Sequence, residues 1–251
     1  MQYGVIMAGG AGTRLWPISR ADKPKQLISV VRGKSLLQLS YERLRGLLPP
    51  ERIFVCTGAA HGKAVLENLP ELPKENLLGE PEGRDTANAV GFPAAVLAKR
   101  DKDAVAAFVT ADHVIEPIDT FQAAIKTAFD AVENQPTALV TFGIVPTFGH
   151  TGLGYIHRGE PLTRAAVMAV NGNSIGAYKV LAFKEKPDKA TADRYVESAR
   201  YYWNSGMFVW RADTVLNELA AHLPQSYRGL MQIAQTSVSY THLTLPTNRE
   251  V

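Results

Sequence analysis

The stretch Tyr3-Gly4-Val5-Ile6-Met7-Ala8-Gly9-Gly10-Ala11-Gly12-Thr13-Arg14-Leu15 decides how the rest of the chain is read. Tyr3–Met7 is a largely apolar run of strand length, and a glycine-rich turn follows it directly. Glycines let the backbone take positive φ there, so that successive N–H groups can point at one anion. Arg14 adds a forked donor suited to phosphate oxygens. A tight strand-to-helix turn with no ligand reads the same way, so the stretch alone is only moderately specific. Two other phosphate motifs are excluded by spacing. A dinucleotide fingerprint needs a third glycine where Leu15 stands. Gly33-Lys34-Ser35 resembles the end of a P-loop, but the glycine required five residues earlier is Ile28, so it reads as a turn and a helix cap.

Working outward, short apolar runs alternate with helical periodicity, which predicts an α/β fold with a mostly parallel central sheet flanked by helices. Strands are expected at Tyr3–Met7, Ile53–Thr57, Asn76–Leu78, Ala104–Thr110 and Ala138–Gly143. Helices are expected at Ser35–Leu47 with Ser35 as N-cap, around Val65 and Leu66, at Thr86–Lys99 despite Pro93, and at Thr120–Val132. After Pro146 the character changes: Gly149, Gly152 and Gly154 punctuate a loop. Strands follow at Tyr155–Arg158, Ala177–Lys184 and Met207–Trp210, with helices near Thr191–Ser198 and at Thr214–Leu223. Residues 237–251 show neither a helical face nor a convincing strand partner. They read as a foreign tail joined near Thr236, the other reading being an edge strand that alternates through Val238, Tyr240, Leu243 and Leu245.

Composition narrows the function classes. Of 251 residues, 46% are apolar and 20% charged, and the formal net charge is +3, too small for a nucleic-acid surface or a polybasic membrane patch. Cys56 is the only cysteine, which leaves no internal disulfide and no thiolate metal cluster; within Ile53-Phe54-Val55-Cys56 it reads as a buried thiol. No run approaches a membrane span, and the sequence enters Tyr3–Met7 without a basic stretch or cleavage site, so no leader is expected. A cytoplasmic setting is the expectation.

The longer string Met7–Leu15, continued by Trp16-Pro17-Ile18-Ser19-Arg20 and Lys23-Pro24-Lys25-Gln26-Leu27, resembles the signature of sugar-nucleotide pyrophosphorylases. Its Leu-Trp-Pro and Pro-Lys-Gln variants are similar to the mannose-1-phosphate guanylyltransferase branch. Five further blocks agree in order: Glu80-Pro81 with Arg84-Asp85-Thr86-Ala87, Ala111-Asp112-His113-Val114-Ile115, Gly152-Leu153-Gly154-Tyr155-Ile156, Phe183-Lys184-Glu185-Lys186-Pro187, and Trp203-Asn204-Ser205-Gly206-Met207-Phe208. The resemblance covers roughly residues 1–236, taken as one nucleotidyltransferase domain. It implies a Rossmann-like, glycosyltransferase-A-like fold, GTP and mannose 1-phosphate as substrates, Mg²⁺ as cofactor, and transfer of GMP to give GDP-mannose and pyrophosphate. No nucleic acid or membrane is implied as a partner, and longer members can form homo-oligomers.

The resemblance also distributes roles. Arg14, Lys25 and Asp112 would act on the phosphates, with Asp112 holding the metal. Asp112 follows a buried strand, where ligands bind in open α/β sheets; the plainer reading is an N-cap for a short turn. Lys25 stands in a Pro-framed segment as a phosphate clamp, or as a solvated lysine, with Lys23 and Arg20 nearby. Ala8, Gly9, Gly10, Gly12, Thr13, Glu80, Asp85 and Thr86 would line the nucleotide, Asn88 being a further candidate. Glu80 can accept both N–H groups of the guanine edge, or it is a surface acid before a proline. Gly154 and Tyr155 would bring backbone against the sugar ring, Glu185 would accept from its hydroxyls, Lys186 would hold its 1-phosphate, and Asn204 would bond mannose. Trp203, Phe208 and Trp210 are expected in the core, and His113 as a structural histidine.

Departures are equally visible. Leu153 stands where the family has an aromatic, and Asp85-Thr86-Ala87-Asn88 where it has Asn-Thr-Ala-Pro. The second metal aspartate of the family, its C-terminal β-helix and the isomerase domain of bifunctional members have no counterpart before residue 251. The expectation is therefore a truncated piece in which transfer falls further than nucleotide binding. The alternatives are a uridylyl- or thymidylyltransferase and a catalytically silent nucleotide-sugar sensor. A glycosyltransferase is disfavoured because Asp112-His113-Val114 is not an Asp-x-Asp motif.

Overall fold

The computed structural model describes residues 1–9, 19, 24–80, 86–162, 168–170 and 173–235. Gly10, Gly12, Thr13, Arg14, Arg20, Lys23, Asp85 and the tail 237–251 lie outside the described residues. In chain order the first half comprises β1 (Gln2–Met7), β2 (Ser29–Val31), β3 (Lys34–Ser35), α1 (Leu36–Arg45), β4 (Ile53–Gly58), α2 (Gly62–Asn68), β5 (Leu77–Glu80), α3 (Thr86–Arg100) and β6 (Val105–Thr110). The second comprises α4 (Ile118–Asn134), β7 (Val140–Ile144), β8 (Tyr155–Pro161), β9 (Met168–Val170), β10 (Asn173–Ile175), β11 (Tyr178–Lys184), α5 (Lys189–Glu197), β12 (Tyr201–Arg211), α6 (Ala212–His222) and α7 (Pro224–Gln235).

The main sheet runs β11-β8-β12-β6-β1-β4-β5, with β7 also paired to β12. Pairs β6-β1, β1-β4 and β4-β5 are parallel, and every pair made by β12 is antiparallel. Because consecutive side chains leave a strand on opposite faces, the parallel strands are apolar on both sides. Ile6, Val55, Leu77 and Val109 pack under α1, α2 and α4 through Leu37, Val65 and Ile125. Val5, Phe54, Leu78 and Phe108 pack under α3, α6 and α7 through Leu97, Leu219 and Leu230. Helices thus cover both faces, the three-layer α/β/α arrangement expected from the alternation.

Local chemistry explains the helix starts. Ser35 and Gln38 form a reciprocal capping box on α1, with Gln38 N–H donating to Ser35 Oγ at 3.0 Å and Ser35 N–H to Gln38 Oε1 at 2.8 Å. Asp188 caps α5 by accepting from Thr191 N–H at 2.8 Å, so that helix starts earlier than its apolar pattern indicates. α3 runs unbroken through Pro93.

Several elements differ from expectation. The hairpins β2-β3 and β9-β10 were not foreseen. Neither was α7, although Tyr227, Leu230, Met231 and Ala234 recur at helical spacing and pack on the α3/α6 side of the sheet. β12 begins at Tyr201 rather than Met207 because Asn204-Ser205-Gly206, which reads as a turn, is an irregularity within one strand. Gly206 has φ +68 there, and its N–H donates to Asn204 Oδ1 at 3.1 Å.

Candidate active site

The parallel strands end on one edge, and Ala8, Gly9, Lys25, Glu80 and Asp112 gather there. β1 leads into Ala8 and Gly9, β5 ends on Glu80, and β6 ends two residues before Asp112. The register keeps these ends level, with Met7 opposite both Cys56 and Thr110, and Gly58 opposite Glu80.

Ala8 is fixed from three sides. Its N–H donates to the Cys56 carbonyl at 2.7 Å, and its carbonyl accepts from Gln26 Nε2 at 2.6 Å and Thr57 Oγ1 at 3.0 Å. Ala8, Gln26 and Thr57 are buried. Gln26 thereby pins the short turn Lys25–Leu27 beneath the entry to the glycine loop, and its neighbour Lys25 forms an ion pair with Asp112 Oδ2. Gly9 is not among the described glycines with positive φ, which are Gly33 and Gly206. The left-handed backbone expected of the glycine turn is therefore not met at Gly9. A Cβ there would lie 3.7 Å from Glu80 Oε2, an ordinary contact, so no atom of the described residues demands a glycine.

Asp112 follows Ala111, whose N–H donates to the Met7 carbonyl at 3.2 Å. It lies in the turn after β6, and α4 starts only at Ile118, behind Pro117. Its Oδ1 is buried and accepts no hydrogen bond from any described residue, with His113 Nε2 3.7 Å away. Burial pushes the Asp112 carboxyl up, but the Lys25 hydrogen bond and the neighbouring His113 and Lys25 charges outweigh it and hold the group below the usual aspartate value. His113 is held through Nδ1, 2.9 Å from Thr110 Oγ1. Burial raises the Glu80 carboxyl. It also pushes the Cys56 thiol well up, assisted by the Glu80 charge. Thr86 is exposed at the first residue of α3.

The second-half candidates form a separate cluster. Asn204 N–H donates to the Gly154 carbonyl at 2.9 Å. A Cβ on Gly154 would lie 3.2 Å from Glu185 Oε2 and 3.9 Å from Asn204 Cβ, so the three residues close on one point. Glu185 Oε1 pairs with Lys186 Nζ at 2.9 Å, and both side chains are exposed. Lys186 has φ +34, unusual for a side-chain-bearing residue. Asn204 Oδ1 accepts from Gly206 N–H, which leaves the amide NH₂ as the donor of that side chain. Tyr155 is fully buried, its hydroxyl donating to the His150 carbonyl at 3.0 Å, so its side chain serves the fold. Phe208 and Trp210 stack at 4.9 Å toward the core as expected. Trp203 is instead half-buried, edge-on to Phe148 at 5.3 Å.

β12 joins the two clusters. It pairs with β8 through Tyr201–Trp203 and with β6 through Phe208–Arg211, leaving Asn204–Met207 between. A Cβ on Gly206 would come 3.9 Å from Thr110 Cγ2, at the end of the strand that leads to Asp112.

Among the described residues no three His, Cys, Asp or Glu side chains form a metal cage. A hard divalent cation that takes one or two carboxylates and completes its shell with phosphate oxygens still suits Asp112, whose buried Oδ1 has no hydrogen-bond partner among the described residues. The sequence reading missed Gln26 and Thr57, which act only on the Ala8 carbonyl. It also missed Ser40 and Arg43, which hold the carbonyls of Thr110 and His113 at 3.2 Å each. The Pro-Lys-Gln block was the only trace of the first pair.

Comparison with known proteins agrees with this geometry. The chain is 43% identical over 228 residues to a mannose-1-phosphate guanylyltransferase of Salmonella typhimurium, covering 89% of this chain and 45% of that protein. It is 42% identical over 227 residues to one from Escherichia coli, covering 88% and 45%. The chain therefore spans a little under half the length of these relatives. The crystal structure of a mannose-1-phosphate geranyltransferase from Thermus thermophilus superposes with TM-score 0.80 at 31% identity, covering 96% of this chain and 66% of that one. The nucleotidyl transferase family model matches residues 3–244, and with the parallel strand ends, Asp112 and Lys25 in place, the chain belongs to the nucleotidyl transferase family.

Proposed function

We propose that this chain transfers GMP from GTP to mannose 1-phosphate, giving GDP-mannose and pyrophosphate. The observation that carries this reading is the pair of clusters joined by β12. An acid and a lysine sit at the end of β6, and a glycine, an acid and an amide face one another beside β8. The first suits a nucleotide triphosphate and the second a polyhydroxyl ligand bearing one phosphate.

The sugar-phosphate oxygen attacks the α-phosphorus in line. A new P–O bond forms as the bond to the bridging oxygen breaks, and pyrophosphate leaves with the electron pair. The protein need only position the reactants and offset charge. Lys25 serves the phosphates, together with Arg14. Gly9 lets backbone approach them without a side chain. Glu80 accepts from N1–H and N2–H of guanine, an edge that uracil and thymine lack. Glu185 and the Asn204 amide take the sugar hydroxyls, and Lys186 takes the 1-phosphate. Mg²⁺ would be held by Asp112, where it supplies positive charge to the phosphate oxygens.

Calorimetric titration with GTP, UTP and dTTP tests the nucleotide half, and pyrophosphate release with mannose or glucose 1-phosphate tests the other. GTP should bind at least about tenfold more tightly than UTP, the discrimination expected of a paired acceptor. Tighter binding of UTP or dTTP would replace the reading by another sugar-phosphate nucleotidyltransferase. Binding of GDP-mannose with no transfer in either direction would favour a sensor.

A further inference from the structure

Helix α1 touches the Asp112 loop at two points one helical turn apart. Ser40 Oγ donates to the Thr110 carbonyl and Arg43 Nη1 to the His113 carbonyl, each at 3.2 Å. These carbonyls flank Asp112 on either side, and the Thr110 hydroxyl bonded to His113 Nδ1 closes the same loop internally. Ser40 is 1% exposed and Arg43 3%. Their spacing of three residues puts both on one helix face. The helix is a firm base, capped by Ser35 and anchored by the fully buried Leu37 and Leu44.

Arg43 is a costly residue for that place. Its guanidinium lies 5.5 Å from the Phe121 ring centroid, yet Nε and Nη2 are buried without hydrogen-bond partners among the described residues. Burial pushes it down to about 10, with no charge among the described residues raising it. A buried cation lacking an anion is a liability that an apolar side chain of similar length would relieve. Packing therefore does not explain an arginine here; the His113 carbonyl does.

We propose that Ser40 and Arg43 are positioning residues that fix the loop carrying Asp112, Arg43 doing so at a cost to stability. The inference rests on the reading of Asp112 as the metal carboxylate. With Lys25 on Oδ2, the loop must be held from behind for Oδ1 to keep a constant direction.

The test compares Asp112→Asn, Arg43→Met and Ser40→Ala in the full chain. Mn²⁺ is titrated into each protein with GTP present and followed by water-proton relaxation, alongside thermal unfolding. Asp112→Asn should weaken Mn²⁺ binding most. Arg43→Met should weaken it roughly tenfold, in the range found when a group that orients a metal ligand is removed, and Ser40→Ala by a smaller factor. The Tm of Arg43→Met should equal or exceed that of the parent. Parental Mn²⁺ affinity in Arg43→Met, beside a weakened Asp112→Asn, would overturn the positioning role. So would a Tm that falls in step with affinity, which would make Arg43 ordinary structure. Unchanged affinity in Asp112→Asn would instead overturn the metal reading on which the inference stands.

Discussion

Glu80 shows how a single residue can be poor for the fold and right for a ligand. It is half-buried beside Gly9, and burial raises its carboxyl. A raised pKa means that the folded state binds the proton more tightly than the unfolded state. Stability contributed by this group is full below the ordinary glutamate pKa and is lost as pH rises through the raised value. Glu80→Gln should therefore be more stable than the parent above that window and equal to it below. Guanidinium unfolding at a series of pH values checks this, and a parallel loss at every pH would contradict it. The same variant should lose most of its preference for GTP over UTP. Gly154→Ala acts at the other cluster: its methyl would press on Glu185 Oε2 at 3.2 Å, so the carboxylate must move by a few tenths of an ångström. KM for the sugar phosphate should rise about tenfold with GTP affinity unchanged, the cost of disturbing one charge-assisted hydrogen bond. A rise in both would show that the clusters are not separate. Residues of this kind were legible in the sequence because ligand-facing side chains recur in recognisable blocks. Gln26, Thr57, Ser40 and Arg43 were not, since each acts on a backbone carbonyl, and any residue can supply one.

Among the elements, legibility followed how local the determining force is. α1 could be read from Ser35, Gln38 and its leucines because capping and periodicity lie within one stretch. The parallel strands were equally clear, being apolar on both faces. β12 was half-missed because Asn-Ser-Gly carries a turn signal that only its strand partners override. α7 was missed although Leu230 and Ala234 are buried. Its docking is tight: a Cβ on Gly91 of α3 would meet Leu230 Cδ1 at 2.5 Å and Leu219 Cδ1 at 2.8 Å. Leu230→Ala should destabilise the chain by about 2–4 kcal/mol, the cost of a buried leucine cavity. Denaturant unfolding reads this directly. A loss below about 0.5 kcal/mol, within the range of surface substitutions, would mean that α7 adds little to the core.

At the scale of the whole molecule, β12 is the member shared by both clusters. Gly206 sits at φ +68 between its β8-paired and β6-paired stretches. An alanine there is strained by roughly 1–2 kcal/mol. Gly206→Ala should therefore lower Tm modestly and kcat strongly, with both KM values close to parental, because the halves remain intact while their mutual aim is spoiled. Equal losses in kcat and both KM values would count against that. The arrangement makes the stretch from Asn204 to Met207 a ruler of fixed length between the two pockets. A ruler cannot adapt to its cargo. A sugar phosphate with one extra methylene between ring and phosphate could fill the pocket beside Gly154 and still present its oxygen at the wrong mark. Such a compound would be an inhibitor rather than a slow substrate, so the sheet itself, and not only the pocket walls, would select what is joined to the nucleotide.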